Sequence, residues 1–104
     1  MDRIRTLIVD DERLARRRVR RLLSSFPDFD VVGECASGGE ALEFLQDHPV
    51  DLLFLDVQMP GMNGFELAEM MRSTARTRHI PIVFVSAAGS ELNYAFKGYE
   101  SGAV

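Results

Sequence analysis

Apolar runs and amphipathic stretches alternate along this chain, and each apolar run ends in a polar or acidic residue. The first, Ile4–Val9 (IRTLIV), is rich in β-branched residues and stops at Asp10, Asp11 and Glu12. That pattern predicts a buried strand reaching the edge of a sheet. Residues 14–26 then place Ala15, Val19, Leu22, Leu23 and Phe26 at spacings of 4, 3, 1 and 3, which predicts an amphipathic helix with arginines on its other faces. Pro27 lies just beyond it. A second strand is expected over 30–35 (DVVGEC), then a loop at Ser37, Gly38 and Gly39, then a helix over 40–47 burying Ala41, Leu42 and Leu45.

The pattern repeats in the second half. Residues 51–55 (DLLFL) suit a central strand covered on both faces, and Asp56 terminates it. A loop punctuated by Pro60, Gly61 and Asn63-Gly64 leads into a helix over 65–72 with Leu67, Met70 and Met71 inward. A polar linker, a strand over 80–85 (IPIVFV) and a last helix over 91–101 complete the reading. Strands alternating with helices through short connections specify an α/β domain, a parallel sheet with helices on both faces. Alternation alone leaves the strand order open.

Composition narrows the function classes. The chain has 104 residues, a net charge of −4 and 46% hydrophobic residues, the profile of one soluble domain. One cysteine, Cys35, excludes an internal disulfide framework and a cysteine-rich zinc module, which favours a reducing cytoplasm; it reads as a small buried hydrophobe. No apolar run approaches the roughly 20 residues of a membrane span. The acidic balance disfavours direct nucleic-acid binding. Arg13, Arg16, Arg17, Arg18, Arg20 and Arg21 make the first helix locally basic, read as a solvated face or a docking surface for an acidic partner. Met59, Met62, Met70 and Met71 are read as packing residues, not as ligands.

The candidate chemistry lies at the strand ends. In open α/β sheets the ligand site sits outside the carboxyl ends of the strands, where Asp10, Asp11, Asp56 and Ser86 all fall. If the first and third strands are neighbours, three carboxylates converge, and their repulsion calls for a cation. Mg²⁺ suits such a site, because it accepts one or two carboxylates, a carbonyl and several waters. His48 and His79 are not placed to contribute. For Glu12 alone a role at the helix N-terminus is the simpler reading. Asp56, expected to be left exposed by the Pro60–Gly61 loop, could act beside a metal as a nucleophile toward phosphorus.

These residues carry a resemblance along the whole chain. VDDE (Val9, Asp10, Asp11, Glu12), LDVQMPGMNG (from Leu55 to Gly64), VSA (Val85, Ser86, Ala87) and YESGAV (from Tyr99 to Val104) resemble the receiver domain of two-component response regulators. The resemblance implies a flavodoxin-like doubly wound sheet of order 2-1-3-4-5. It implies that Asp56 accepts a phosphoryl group from a sensor histidine kinase or phosphotransfer protein. Asp11, Asp56 and the Gln58 carbonyl would bind Mg²⁺ directly, Asp10 through water, and Ser86 would hydrogen-bond the phosphoryl group. Receivers continue into a fifth strand, a lysine and a fifth helix, so the domain, 1–104, is expected to be C-terminally incomplete, with order 2-1-3-4. An exposed fourth strand would then favour self-association; Lys97 is read as a surface residue, not the phosphate-binding lysine.

Two other functions compete. An aspartyl-phosphate phosphatase would need a second carboxylate two residues after Asp56, and Gln58 cannot supply that proton. A pseudo-receiver interaction module would have lost the acids, which are all present. The domain is therefore expected to be a signalling switch, not an enzyme acting on a separate substrate. The output stays open: IRTLIVDDERLARRR resembles receivers joined to LytTR-type DNA-binding domains, while HIPIVFVSA and AFKGYESGAV resemble those of hybrid kinases or signalling enzymes.

Overall fold

A computed structural model describes residues 2–85. In chain order the elements are β1 (Ile4–Val9), α1 (Arg13–Leu23), β2 (Phe29–Cys35), α2 (Gly38–Asp47), β3 (Leu52–Asp56), α3 (Gly64–Arg72) and β4 (Ile82–Val85). All pairs are parallel and the sheet order is β2-β1-β3-β4, the flavodoxin-like arrangement. The chain moves outward from β1 to β2, then back across the sheet to β3 and β4. Right-handed crossovers therefore put α1 on one face and α2 and α3 on the other. The main core lies under α2 and α3, where Ala41, Leu45, Leu67, Ala68 and Met71 pack on Leu7, Val9, Leu53, Leu55 and Ile82.

Local chemistry explains the element ends. Ser37 caps α2 by accepting from the Glu40 amide, so Gly38 and Gly39 enter the helix instead of forming the expected loop. Asn63 and Glu66 form a reciprocal capping box at the start of α3. Strand β4 starts at Ile82, two residues later than its apolar run. Proline at position 81 has no amide to donate to the ladder, although its carbonyl accepts from Leu53. The linker before it is anchored by Thr77, which is buried and donates to the Met71 carbonyl.

Three inward assignments are corrected. Helix α1 is shorter than its pattern suggested, and although Leu23 is buried, Leu22 and Phe26 are 64% and 57% exposed. A helix covering one sheet face with a single stripe cannot bury Leu22, one position and about 100° from Leu23, while Phe26 lies beyond the helix end and packs edge-on against Phe29. Met70 is likewise exposed at 45%, because Leu67, Ala68 and Met71 already occupy the buried face of α3. Met59 and Met62 do join the core, as expected. Ser86, the helix expected over 91–101 and Lys97 lie outside the described residues.

Candidate functional site

Strand pairing assembles the acids. Val9 of β1 is in register with Leu55 of β3, so Asp10 and Asp56 follow side by side at the carboxyl edge. Carboxylate oxygens of Asp10, Asp11 and Asp56 lie within 4.8 Å of one another, which meets the condition of neighbouring first and third strands. Asp10 is held firmly. Its amide donates to the Cys35 carbonyl of β2 at 3.0 Å, and its Oδ1 accepts from the Glu12 amide at 2.9 Å. Glu12 occupies the N-cap of α1, but its side chain makes no capping hydrogen bond; the Asp10 side chain instead organises this corner.

Asp56 is not exposed as its loop had suggested. It is 8% accessible, because the chain after it folds back over it. Gly64 makes that fold-back possible: its amide donates to the Val57 carbonyl at 3.0 Å, and a Cβ there would lie 2.4 Å from the Asp56 carbonyl oxygen. No larger residue fits without moving backbone. Gly61, at φ +76°, supplies the preceding turn. Burial and the charge of Asp10 push the Asp56 carboxyl up to about 7, opposed by the Gln58 amide, which donates to Asp56 Oδ1 at 3.3 Å. Asp10 is also raised, chiefly by burial.

The arrangement fits a hard cation. Three carboxylates converge, two are buried, and two have proton affinities raised by desolvation and mutual repulsion. A divalent ion would relieve both. Asp11 is exposed and borders an open depression shared with Gln58, Met59, Pro60, Asn63 and Phe65, leaving room for retained water. The histidines are elsewhere: His48 and His79 line a depression with Arg5 and Asp51, at the opposite end of the strands. Cys35 is buried and its thiol is pushed up to about 11 by burial, as suits an inert core residue.

Residues 6–104 match the response regulator receiver domain family. The chain belongs to that family. The receiver is 41% identical over 100 residues to the transcriptional regulatory protein BtsR of Salmonella typhi, covering 96% of this chain and 39% of that protein. It is 39% identical to protein-glutamate methylesterase/protein-glutamine glutaminase 5 of Myxococcus xanthus, over 97% of this chain and 28% of that one. The chain thus spans about two fifths or less of these curated relatives. Among solved structures, the receiver domain of the putative response regulator NarL from Mycobacterium tuberculosis superposes with a TM-score of 0.83 at 32% identity, covering 99% of this chain and 81% of that one. The receiver domain of Thermotoga maritima CheB gives 0.80 at 30% identity, over 98% and 75%. This is a receiver of two-component signalling, and its fold is the one its motifs implied.

Two contributors escaped sequence reasoning. Gly64 read only as loop punctuation, since its close approach to Asp56 depends on how α3 docks. Arg16 was one of six arginines on a basic helix, and nothing in the spacing marked its contact with the Asp10 carbonyl.

Proposed function

We propose that this receiver takes a phosphoryl group onto Asp56 from a phosphohistidine of a sensor histidine kinase or phosphotransfer protein. The observation that carries the reading is a buried carboxylate at a strand end, crowded by two acids and open to solvent on the Asp11 side. Asp11, Asp56 and the Gln58 carbonyl would hold Mg²⁺ directly and Asp10 would hold it through water. When bound, Mg²⁺ neutralises charge developing on the phosphoryl oxygens and lowers the proton affinity of Asp56.

The rest is the chain's own work. An Asp56 oxygen attacks phosphorus in line with the P–N bond. That bond breaks, its electron pair passes to the imidazole nitrogen, which takes up a proton, and Asp56 is left as an acyl phosphate. Asp10, fixed by Cys35 and Glu12, keeps its carboxylate aimed at the site. The Ser86 hydroxyl would donate to a phosphoryl oxygen. The domain switches an output carried elsewhere and turns over no separate substrate. It works in the cytoplasm without direct contact with nucleic acid or membrane; among the described residues no helix is long and apolar enough to cross a bilayer.

Incubation with acetyl phosphate and Mg²⁺, read by intact mass, tests the assignment. The parent gains one phosphoryl group and Asp56→Asn gains none. Equal incorporation in the variant would reject Asp56 as the acceptor.

A further inference from the structure

Arg16 differs from the other arginines of α1. Arg13, Arg17, Arg18 and Arg21 project into solvent, whereas the Arg16 side chain is only 16% accessible. Its Nη1 donates to the Asp10 carbonyl at 2.6 Å and its Nε to Glu34 Oε1 of β2 at 3.1 Å. Arg20 Nε donates to the other Glu34 oxygen at 2.7 Å, so one carboxylate anchors both guanidinium groups. These arginines hold the Glu34 carboxyl below its usual range, against the opposing effect of burial.

The Asp10 carbonyl belongs to the planar peptide unit that joins Asp10 to Asp11. Its orientation therefore sets where the Asp11 side chain starts. The Asp10 amide is tied to β2 through Cys35, and Arg16 ties its carbonyl to β2 through Glu34. Both peptide units flanking Asp10 are thus clamped to one strand. The planar guanidinium can reach a carbonyl and a carboxylate together, which a lysine ammonium at the end of a flexible stem does less well.

We propose that Arg16, braced by Glu34, is a positioning residue that holds the Asp10–Asp11 turn in the geometry that binds the divalent cation. This deepens the phosphoacceptor reading and rests on it. The electrostatic sign makes the idea testable. Arg16 is itself a cation beside a cation site, so as a mere charge its removal would tighten Mg²⁺ binding. As a positioning group its removal weakens binding.

The experiment measures Mg²⁺ affinity by calorimetry in the parent, Arg16→Ala, Arg16→Lys, Arg20→Ala and Glu34→Gln, alongside amide hydrogen exchange without metal. Arg16→Ala should raise Kd about tenfold, the usual cost of losing an outer-shell partner. Arg20→Ala removes the same charge from the same carboxylate but touches no backbone of the turn, so its Kd should stay within about twofold of the parent. Arg16→Lys and Glu34→Gln should fall between, and the Asp11 and Glu12 amides should exchange faster in Arg16→Ala than in Arg20→Ala. An unchanged or lower Kd in folded Arg16→Ala overturns the proposal. Should that variant not fold, parental affinity in both Arg16→Lys and Glu34→Gln does the same. A parent that binds no Mg²⁺ but shows the exchange difference removes the metal reading while leaving the clamp on the turn intact.

Discussion

Strand β3 is flanked by two aspartates of opposite fate. Asp51, just before it, accepts from the Arg5 amide at 2.9 Å and from Arg5 Nε and Nη2 at 2.9 and 3.1 Å, while its own amide donates back to the Arg5 carbonyl. Those hydrogen bonds hold the Asp51 carboxyl below its usual range. Asp56, at the other end, is buried beside two acids and is pushed up to about 7. One side chain, placed twice along one strand, is stabilised where it meets a cation and penalised where it meets its own kind. The paired acid fastens β3 to β1; the crowded acid, the proposed phosphoacceptor, is held at a cost to the metal-free fold.

The comparison breaks most visibly at Asp56. Without metal at pH 8, Asp56→Asn should stabilise the protein by about 1–3 kcal/mol in urea unfolding, since it removes a buried charge facing like charges. The pH dependence has a definite sign. The folded carboxyl titrates near 7 and the unfolded one near 3.8, so the native state holds the extra proton between those values. Its stability contribution is fully present below the lower value and is lost as pH rises through the upper one, with a slope of up to about 1.4 kcal/mol per pH unit. The slope should flatten in Asp56→Asn. A loss of stability in that variant at pH 8 would show that Asp56 is not penalised by its surroundings.

Gly64→Ala sharpens the contrast from the backbone side. The new methyl would strike the Asp56 carbonyl, so a loss of about 1–3 kcal/mol is expected, together with weaker phosphorylation. Thermal melting and intact mass report the two effects. Within the acid cluster, Asp11→Ala should weaken Mg²⁺ binding about tenfold and Asp10→Ala less, if the first binds directly and the second through water. An unchanged Kd in Asp11→Ala would take it out of the direct ligands. The smallest effect belongs to the paired end. Asp51→Asn breaks an ion pair whose side chains are 40–47% accessible, and the melting temperature should shift by no more than about 2 °C.

Much of this was legible in one dimension, because period and punctuation are local. The apolar runs located four strands, the polar residues ending them located the site edge, and the motifs around Asp10, Asp11 and Asp56 carried the family. Boundaries moved where capping or proline chemistry outweighed hydropathy, as at Ser37 and at position 81. Accessibility was harder. Leu22 and Met70 looked inward and face solvent, while Asp56 looked exposed and is buried.

Sequence by itself determined the alternation of strands and helices, the identity of the acids and their places at strand ends. Alternation left the strand order open; the receiver motifs implied it, and the folded sheet places β1 between β2 and β3, which brings Asp10 beside Asp56. Tertiary structure alone decided that Gly64 seats α3 against the Asp56 backbone and that Arg16, among six arginines, grips the Asp10 carbonyl. The physical reason is range. Hydrogen-bond ladders and amphipathic stripes are set by neighbours a few residues apart, whereas burial, charge repulsion and close backbone approach depend on groups that meet only after the sheet has closed.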